Sequence, residues 1–175
     1  MRWEPGLARE ALECCDALYR LARRLTGSDA DAEDLVQDAY ARAFSTRAHF
    51  TSGTNLRAWL FRILRNAYID ACRRSASNPV RAELSDDDVL EDAESRFEAL
   101  RGDHELERLR TVVARDIETA LASLPIDARV AVLLDLEGLT EAELAEVFGC
   151  AEGTIKSRLS RARVVLRERL SDYSR

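Results

Sequence analysis

The sequence predicts an all-α protein made of two small helical domains joined by a flexible acidic linker, and three observations carry that prediction. Seven Gly and three Pro stand among 175 residues, while Ala, Leu, Arg and Glu dominate, a composition that favours helices over strands. Apolar residues, 46% of the chain, recur at the three- and four-residue spacing of a helix face in one stretch after another. The charge is uneven: within a formal net of −6, residues 1–78 hold 12 Arg against 10 acids for +2, residues 79–115 carry −5 and residues 116–175 carry −3. These shifts place one domain at 1–78, the linker at 79–110 and a second domain at 111–175, each within the usual range for a small domain.

The first helix is expected from Leu7 to Leu25, with Leu18, Leu21 and Leu25 on one face, and it stops at "TGSD", where Gly27 supplies a C-terminal cap. Asp31 to Phe44 places Leu35, Val36, Ala39, Tyr40 and Ala43 at helical spacing. The polar loop "STRAHFTSG" follows, with Phe50 as its single large apolar residue. A third helix, Thr54 to Arg74, carries Leu56, Trp59, Leu60, Ile63, Leu64, Ala67 and Ala71 as one wide stripe. In "SNPVRAELSDDDVLEDAE", Pro79 blocks helix continuation and Asp86, Asp87 and Asp88 repel one another. The second block starts near His104 and is helical until Pro125. After it come Asp127 to Glu137, Glu141 to Phe148 and a long last helix from Glu152 to Leu170. Gly138 and Gly149 stop helices, and Thr140 caps the next.

The end of the chain holds the most specific pattern. In "GLTEAELAEVFGCAEGTIKSRLSRAR", small Ala145, Gly149 and Ile155 suit two helices crossing over a short turn, a helix-turn-helix. At about 100° per residue, Ile155, Leu159, Ala162, Leu166 and Leu170 share one stripe of the last helix. Gly153, Ser157, Ser160, Arg161 and Val164 lie opposite, with Lys156, Arg163 and Arg167 on one flank and Thr154 and Arg158 toward the other. Small outward residues between cations suit a helix in the major groove, where cations meet phosphates and central side chains meet base edges. The run 153–169 has six basic residues against the single acid Glu168. Because acids at i,i+4 are absent from 153–167, a merely solvated face of salt-bridging arginines explains it poorly.

The opening residues carry acids at Glu4, Glu10, Glu13 and Asp16 inside the apolar pattern, unlike a signal peptide, and no apolar run approaches the roughly 20 residues that span a bilayer. Cys14, Cys15, Cys72 and Cys150 form no C-x-x-C pair and have only His49 and His104 to assist, so no metal site is expected. Reduced thiols in a cytoplasmic protein are the plainer expectation, with oxidant sensing by adjacent Cys14 and Cys15 the alternative. No phosphate-gripping glycine loop and no Ser or Cys paired with His points to catalysis, and no cofactor is expected.

Three motifs in order, "DAEDLVQDAYARAF", "NLRAWLFRILRNAYIDACRR" and "LPIDARVAVLLDLEGLTEAELAEVFGCAEGTIKSRLSRAR", resemble the extracytoplasmic-function (ECF) group of bacterial RNA polymerase sigma factors. The likeness covers nearly the whole chain except its first residues and the acidic linker. It implies sigma region two in the first domain and sigma region four in the second. By the same resemblance, Asp34, Gln37 and Asp38 dock on core RNA polymerase. Phe50, Arg62, Arg65, Asn66, Asp70 and Arg73 read the minus-ten promoter element and capture a flipped base, a task suited to an aromatic wall beside positive charge. Thr154, Lys156, Ser157, Arg158, Ser160, Arg161 and Arg163 bind the minus-thirty-five element. The family pattern departs at Thr51, where relatives often have a basic residue, and at Ala151, where many have a capping serine.

Further partners implied are promoter DNA and an anti-sigma factor that clasps both domains. The chain is then cytoplasmic, or held at the membrane only through that factor. An acidic protein binds a polyanion poorly by itself; one that reads DNA only when mounted on polymerase escapes that limit. Two other classes remain open from the residues: a stand-alone helix-turn-helix regulator that binds duplex DNA unaided, and an enzyme with Cys14, Cys72 or Cys150 as nucleophile.

Overall fold

The computed structural model describes residues 5–46, 50, 55–76 and 104–173; most of the acidic linker expected at 79–110 therefore lies outside the described residues. The described residues form eight α-helices, in order α1 Pro5–Glu13, α2 Cys15–Thr26, α3 Asp29–Thr46, α4 Leu56–Ala76, α5 His104–Ala122, α6 Ile126–Leu136, α7 Glu141–Phe148 and α8 Glu152–Arg169, with a 3₁₀ turn at Ser171–Tyr173. Among the described residues there is no strand. Residues His104–Arg110, allotted to the linker by charge, form the first turns of α5.

The expected first helix is interrupted. Cys14 has φ −82° and ψ −8°, and its N–H reaches back only three residues, to the Ala11 carbonyl at 3.2 Å. That carbonyl also accepts the Tyr40 hydroxyl at 2.6 Å. A contact from α3 thus draws on the acceptor at the break, which periodicity within α1 and α2 cannot reveal.

Helices α2, α3 and α4 pack together through Leu18, Leu21, Ala22 and Leu25, through Ala32, Leu35, Val36, Ala39 and Ala43, and through Leu60, Phe61, Leu64 and Ala67. Each set follows the helical period, so each helix turns one apolar face into this core. Helix α6 differs: the consecutive residues Val130, Ala131, Val132, Leu133 and Leu134 are all buried. Over that stretch the helix is apolar all round and enclosed, with α2, α7 and α8 all packed against α6. Helix α4 also lies against α7, so buried residues of both halves form one continuous core.

Of the aromatic residues in α4, Phe61 is fully buried, with the Arg57 guanidinium 5.7 Å from its ring centroid. The half-buried Tyr68 donates its hydroxyl to the Leu25 carbonyl at 3.0 Å. Both serve packing.

Candidate nucleic-acid interface

The helix-turn-helix is built from α7 and α8. Thr140 accepts the Glu143 N–H at 3.2 Å, and the Glu143 carboxylate accepts the Thr140 N–H at 2.8 Å, a reciprocal capping box that starts α7. The Thr140 backbone bond holds the Glu143 carboxyl below its ordinary range against the opposing effect of burial, and the Asn55 amide, donating at 2.7 Å, adds to the lowering. Gly149 ends α7 at φ 63°, ψ 41°, a left-handed conformation that glycine adopts without steric cost. Helix α8 then begins at Ala151 with no side-chain cap.

Ile155, Leu159 and Ala162 are buried beneath α8, whereas Thr154, Lys156, Ser157, Ser160, Arg161 and Arg163 are exposed together. Ser157 and Arg161 bond to backbone carbonyls one turn earlier, at 2.9 and 3.1 Å. The expectation of unpartnered cations needs correction: Lys156 pairs with Glu141 at 3.2 Å and Arg163 with Asp135 at 2.8 Å. These acids stand on α7 and α6, so a search for i,i+4 partners within α8 could not find them. Arg158 is half-buried, its guanidinium 4.7 Å from the centroid of Phe148.

On α4, Arg62, Asn66 and Arg73 are exposed along one face. Arg65, about 100° away from Asn66 on the helix, does not share it. Its side chain is 15% exposed, pairs with Asp127, lies 4.7 Å from the centroid of Phe148 and donates to the Asn66 amide oxygen at 3.1 Å. Asp70 is engaged as well, with Arg42 at 2.7 Å, and that bond holds its carboxyl low. Phe50 stands at the start of the α4 region against Trp59, ring centroids 5.2 Å apart, an aromatic wall at the edge of α4.

Asp34 and Gln37 are exposed on the outer side of α3, one turn apart, while Asp38 pairs with Arg42 at 2.9 Å. Arg42 therefore joins the α3 edge to α4. Residues that sequence reasoning did not single out hold the halves together: Asp127 and Glu137 on or beside α6 receive Arg65, Arg20 and Arg24, Phe148 at the end of α7 receives Arg65, and Glu143 receives Asn55. The sequence analysis used Phe148 only as a helix bound, and no local spacing marks the others, because each partner lies in the other half of the chain. Burial pushes the Cys14 thiol up, which disfavours the thiolate that a nucleophile or oxidant sensor needs.

Family models for Sigma-70 region 2 and Sigma-70 region 4 match residues 13–78 and 114–166. The chain is 36% identical over 160 residues to the ECF RNA polymerase sigma factor SigE of Mycolicibacterium smegmatis, a match covering 91% of this chain and 59% of that protein. It thus spans less than two thirds of that relative's length. Identity to the ECF RNA polymerase sigma factor EcfG of Rhodopseudomonas palustris is also 36% over 160 residues, covering 90% of this chain and 81% of that one. Among solved structures, the sigma factor RpoE in complex with the anti-sigma factor NepR from Bartonella quintana aligns with TM-score 0.68 and 35% identity, over 96% of this chain and 98% of that chain. With both regions matched in order and relatives of this identity over most of their length, the chain belongs to the family of ECF RNA polymerase sigma factors.

Proposed function

We propose that this chain is a transcription initiation factor that binds core RNA polymerase and directs it to promoters, reading the minus-ten element with the first half (1–78) and the minus-thirty-five element with the second (111–175). The observation that carries the reading is α8: an apolar stripe locks it to a capped helix-turn-helix, and its free face offers small polar residues flanked by cations. Thr154, Ser157 and Ser160 meet base edges there, and Lys156, Arg158, Arg161 and Arg163 meet phosphates. On α4, Arg62, Asn66 and Arg73 face the opened strand, with Arg65 and Asp70 joining them once released from Asp127 and Arg42. Phe50 and Trp59 wall the base pocket. Asp34, Gln37 and Asp38 on the outer side of α3 form the polymerase contact.

The factor is not an enzyme: binding energy opens the promoter and the polymerase forms the bonds. It works in the cytoplasm, and none of the described helices is long and apolar enough to cross a membrane. An anti-sigma factor controls it, as the RpoE–NepR complex suggests by analogy.

Run-off transcription with core polymerase on a genomic fragment library tests the proposal. Adding the chain should yield start sites that core enzyme alone does not use. Tight sequence-selective binding of duplex DNA by the chain without polymerase would instead support a stand-alone regulator.

A further inference from the structure

We propose that Cys14 and Cys15, at the break between α1 and α2, form a dithiol site that binds a trivalent arsenical through both sulfurs. The proposal goes beyond the sigma-factor reading and does not depend on it.

The two thiols follow one another in sequence, and both are half-buried against the core, so neither is sealed off from solvent. Cys72 and Cys150 are half-buried as well, but neither has another cysteine beside it in sequence. The backbone at Cys14 has already left the regular helix: φ is −82° and ψ −8°, and its N–H reaches the Ala11 carbonyl three residues back at 3.2 Å. In an unbroken helix, neighbouring side chains point about 100° apart; at this turn the chain can draw them together without disrupting a continuous ladder. One phenol lies beside both. Tyr40 of α3 donates its hydroxyl to the same Ala11 carbonyl at 2.6 Å, and burial, followed by Cys15 and Cys14, pushes that phenol up. Both sulfurs therefore gather around one point of α3.

The chemistry of the pair selects the ligand. Adjacent Cα atoms lie about 3.8 Å apart, closer than the roughly 4.4–6.8 Å of ordinary disulfides, so a direct S–S bond would close a strained ring. Among the described residues no three His, Cys, Asp or Glu side chains are grouped to hold a metal ion, and two thiols alone leave half of a tetrahedral cation's positions unfilled. Such a cation also demands thiolates and expels protons. Burial opposes that by pushing the Cys14 thiol up, against Arg57 of α4 and with Glu10 and Glu13 of α1 adding to the rise. In keeping with the protonated form, Cys14 Sγ donates to the Glu10 carbonyl at 3.5 Å. An arsenical of the form RAs(OH)2 condenses with thiols and needs no thiolate at equilibrium. Two S–H and two As–O bonds break, two As–S bonds form and two waters leave. Arsenic stays trivalent, so no electron and no net proton is transferred. The arsenic atom also widens the ring between the sulfurs, relieving the strain that a disulfide would meet.

The test titrates the full reduced chain with phenylarsine oxide in excess glutathione, read by intact-mass spectrometry and by differential scanning fluorimetry. A single adduct per chain is expected, and the double variant Cys72→Ser, Cys150→Ser should retain it. Cys14→Ser and Cys15→Ser should each bind about a hundredfold or more weakly, because the second As–S bond of the bridge forms at a high effective concentration. A ligand that prefers the folded to the unfolded pair raises the thermal midpoint, so phenylarsine oxide should raise that of the wild type and leave that of Cys15→Ser unchanged. Protection mapping needs no variant and serves if a serine variant loses helical content by circular dichroism: after loading, N-ethylmaleimide should spare Cys14 and Cys15 together and alkylate Cys72 and Cys150. An adduct that survives in Cys15→Ser, a wild-type midpoint that fails to rise, or alkylation of either Cys14 or Cys15 in the loaded chain overturns the proposal. A larger rise with cadmium chloride than with phenylarsine oxide would overturn it in favour of a divalent-cation site.

Discussion

Glu143 serves two structures at once, and a double-mutant cycle can separate them. Its carboxylate accepts the Thr140 N–H at 2.8 Å, the Thr140 hydroxyl at 3.0 Å and the Asn55 amide at 2.7 Å. The first two start the helix-turn-helix; the third ties it to α4. Thr140→Ala removes the cap and should cost about 1 kcal/mol. Glu143→Ala removes all three bonds. Charge-assisted hydrogen bonds are the stronger kind, but these are partly exposed and screened, so the total should be about 2 kcal/mol. Only the bond from the Thr140 hydroxyl to the carboxylate is lost in both single variants, while the cap from the Glu143 N–H survives Glu143→Ala, so the double variant should cost about 2.5 kcal/mol, leaving a coupling of about 0.5 kcal/mol. In a chain of this size each kcal/mol lowers the thermal midpoint by roughly 2–4 °C, which circular dichroism resolves. The pH dependence has a definite sign. A carboxyl whose folded pKa is depressed contributes stability above its unfolded value, about 4.3, and loses it as pH falls through the folded value. The gap between wild type and Glu143→Ala should therefore narrow as pH is lowered from neutrality to about 3. Additive costs together with a gap constant across that range would refute the argument.

Other outcomes follow from single contacts. Leu144→Ala, at a fully buried position of α7, should destabilise the chain by about 2–5 kcal/mol in urea titration. It should also cost minus-thirty-five recognition before the polymerase contact on α3. Arg163→Ala should weaken holoenzyme binding to different promoters by a similar factor and reduce the slope of log affinity against log salt by about one, as expected for a phosphate contact. Asp70→Asn should lower the melting temperature at neutral pH by breaking the link to Arg42. That difference should vanish as pH falls through the lowered pKa of the carboxyl, because protonation breaks the same link in the wild type.

Local rules made much of this fold legible. The stripes of α2, α3 and α8, the capping threonine of α7 and the stop at Gly149 depend on residues a few positions apart, which sequence spacing reports directly. The exposed row on α8 was legible for the same reason. What spacing could not show was set by distant partners. The break at Cys14 coincides with a Tyr40 hydroxyl on the Ala11 carbonyl, and the arginines of α4 and α8 meet acids and an aromatic ring on α6 and α7. Arg65 looked like a neighbour of Asn66 and Asp70. Its position about 100° from Asn66 on the helix instead turns it toward the second half, where Asp127 and Phe148 receive it.

These pairings bear on how a chain of net charge −6 would use the DNA-reading face proposed for α8. Lys156 and Arg163 each have a carboxylate within 4 Å, on Glu141 and Asp135, and those side chains are 42% and 31% exposed. Binding a phosphate is then an exchange of one anion for another, so each contact gains less than a free cation would. The displaced acids are already partly hydrated and return to water at little cost, so the exchange stays feasible once other contacts position the helix. Sequence-independent attachment suffers most, because it draws almost wholly on phosphate neutralisation. Base-edge contacts of the kind proposed for Thr154, Ser157 and Ser160 displace no acid, although the Ser157 hydroxyl has to leave the Gly153 carbonyl. The same acids that make the chain negative thus favour selective contact over indiscriminate contact, provided that polymerase supplies the positioning.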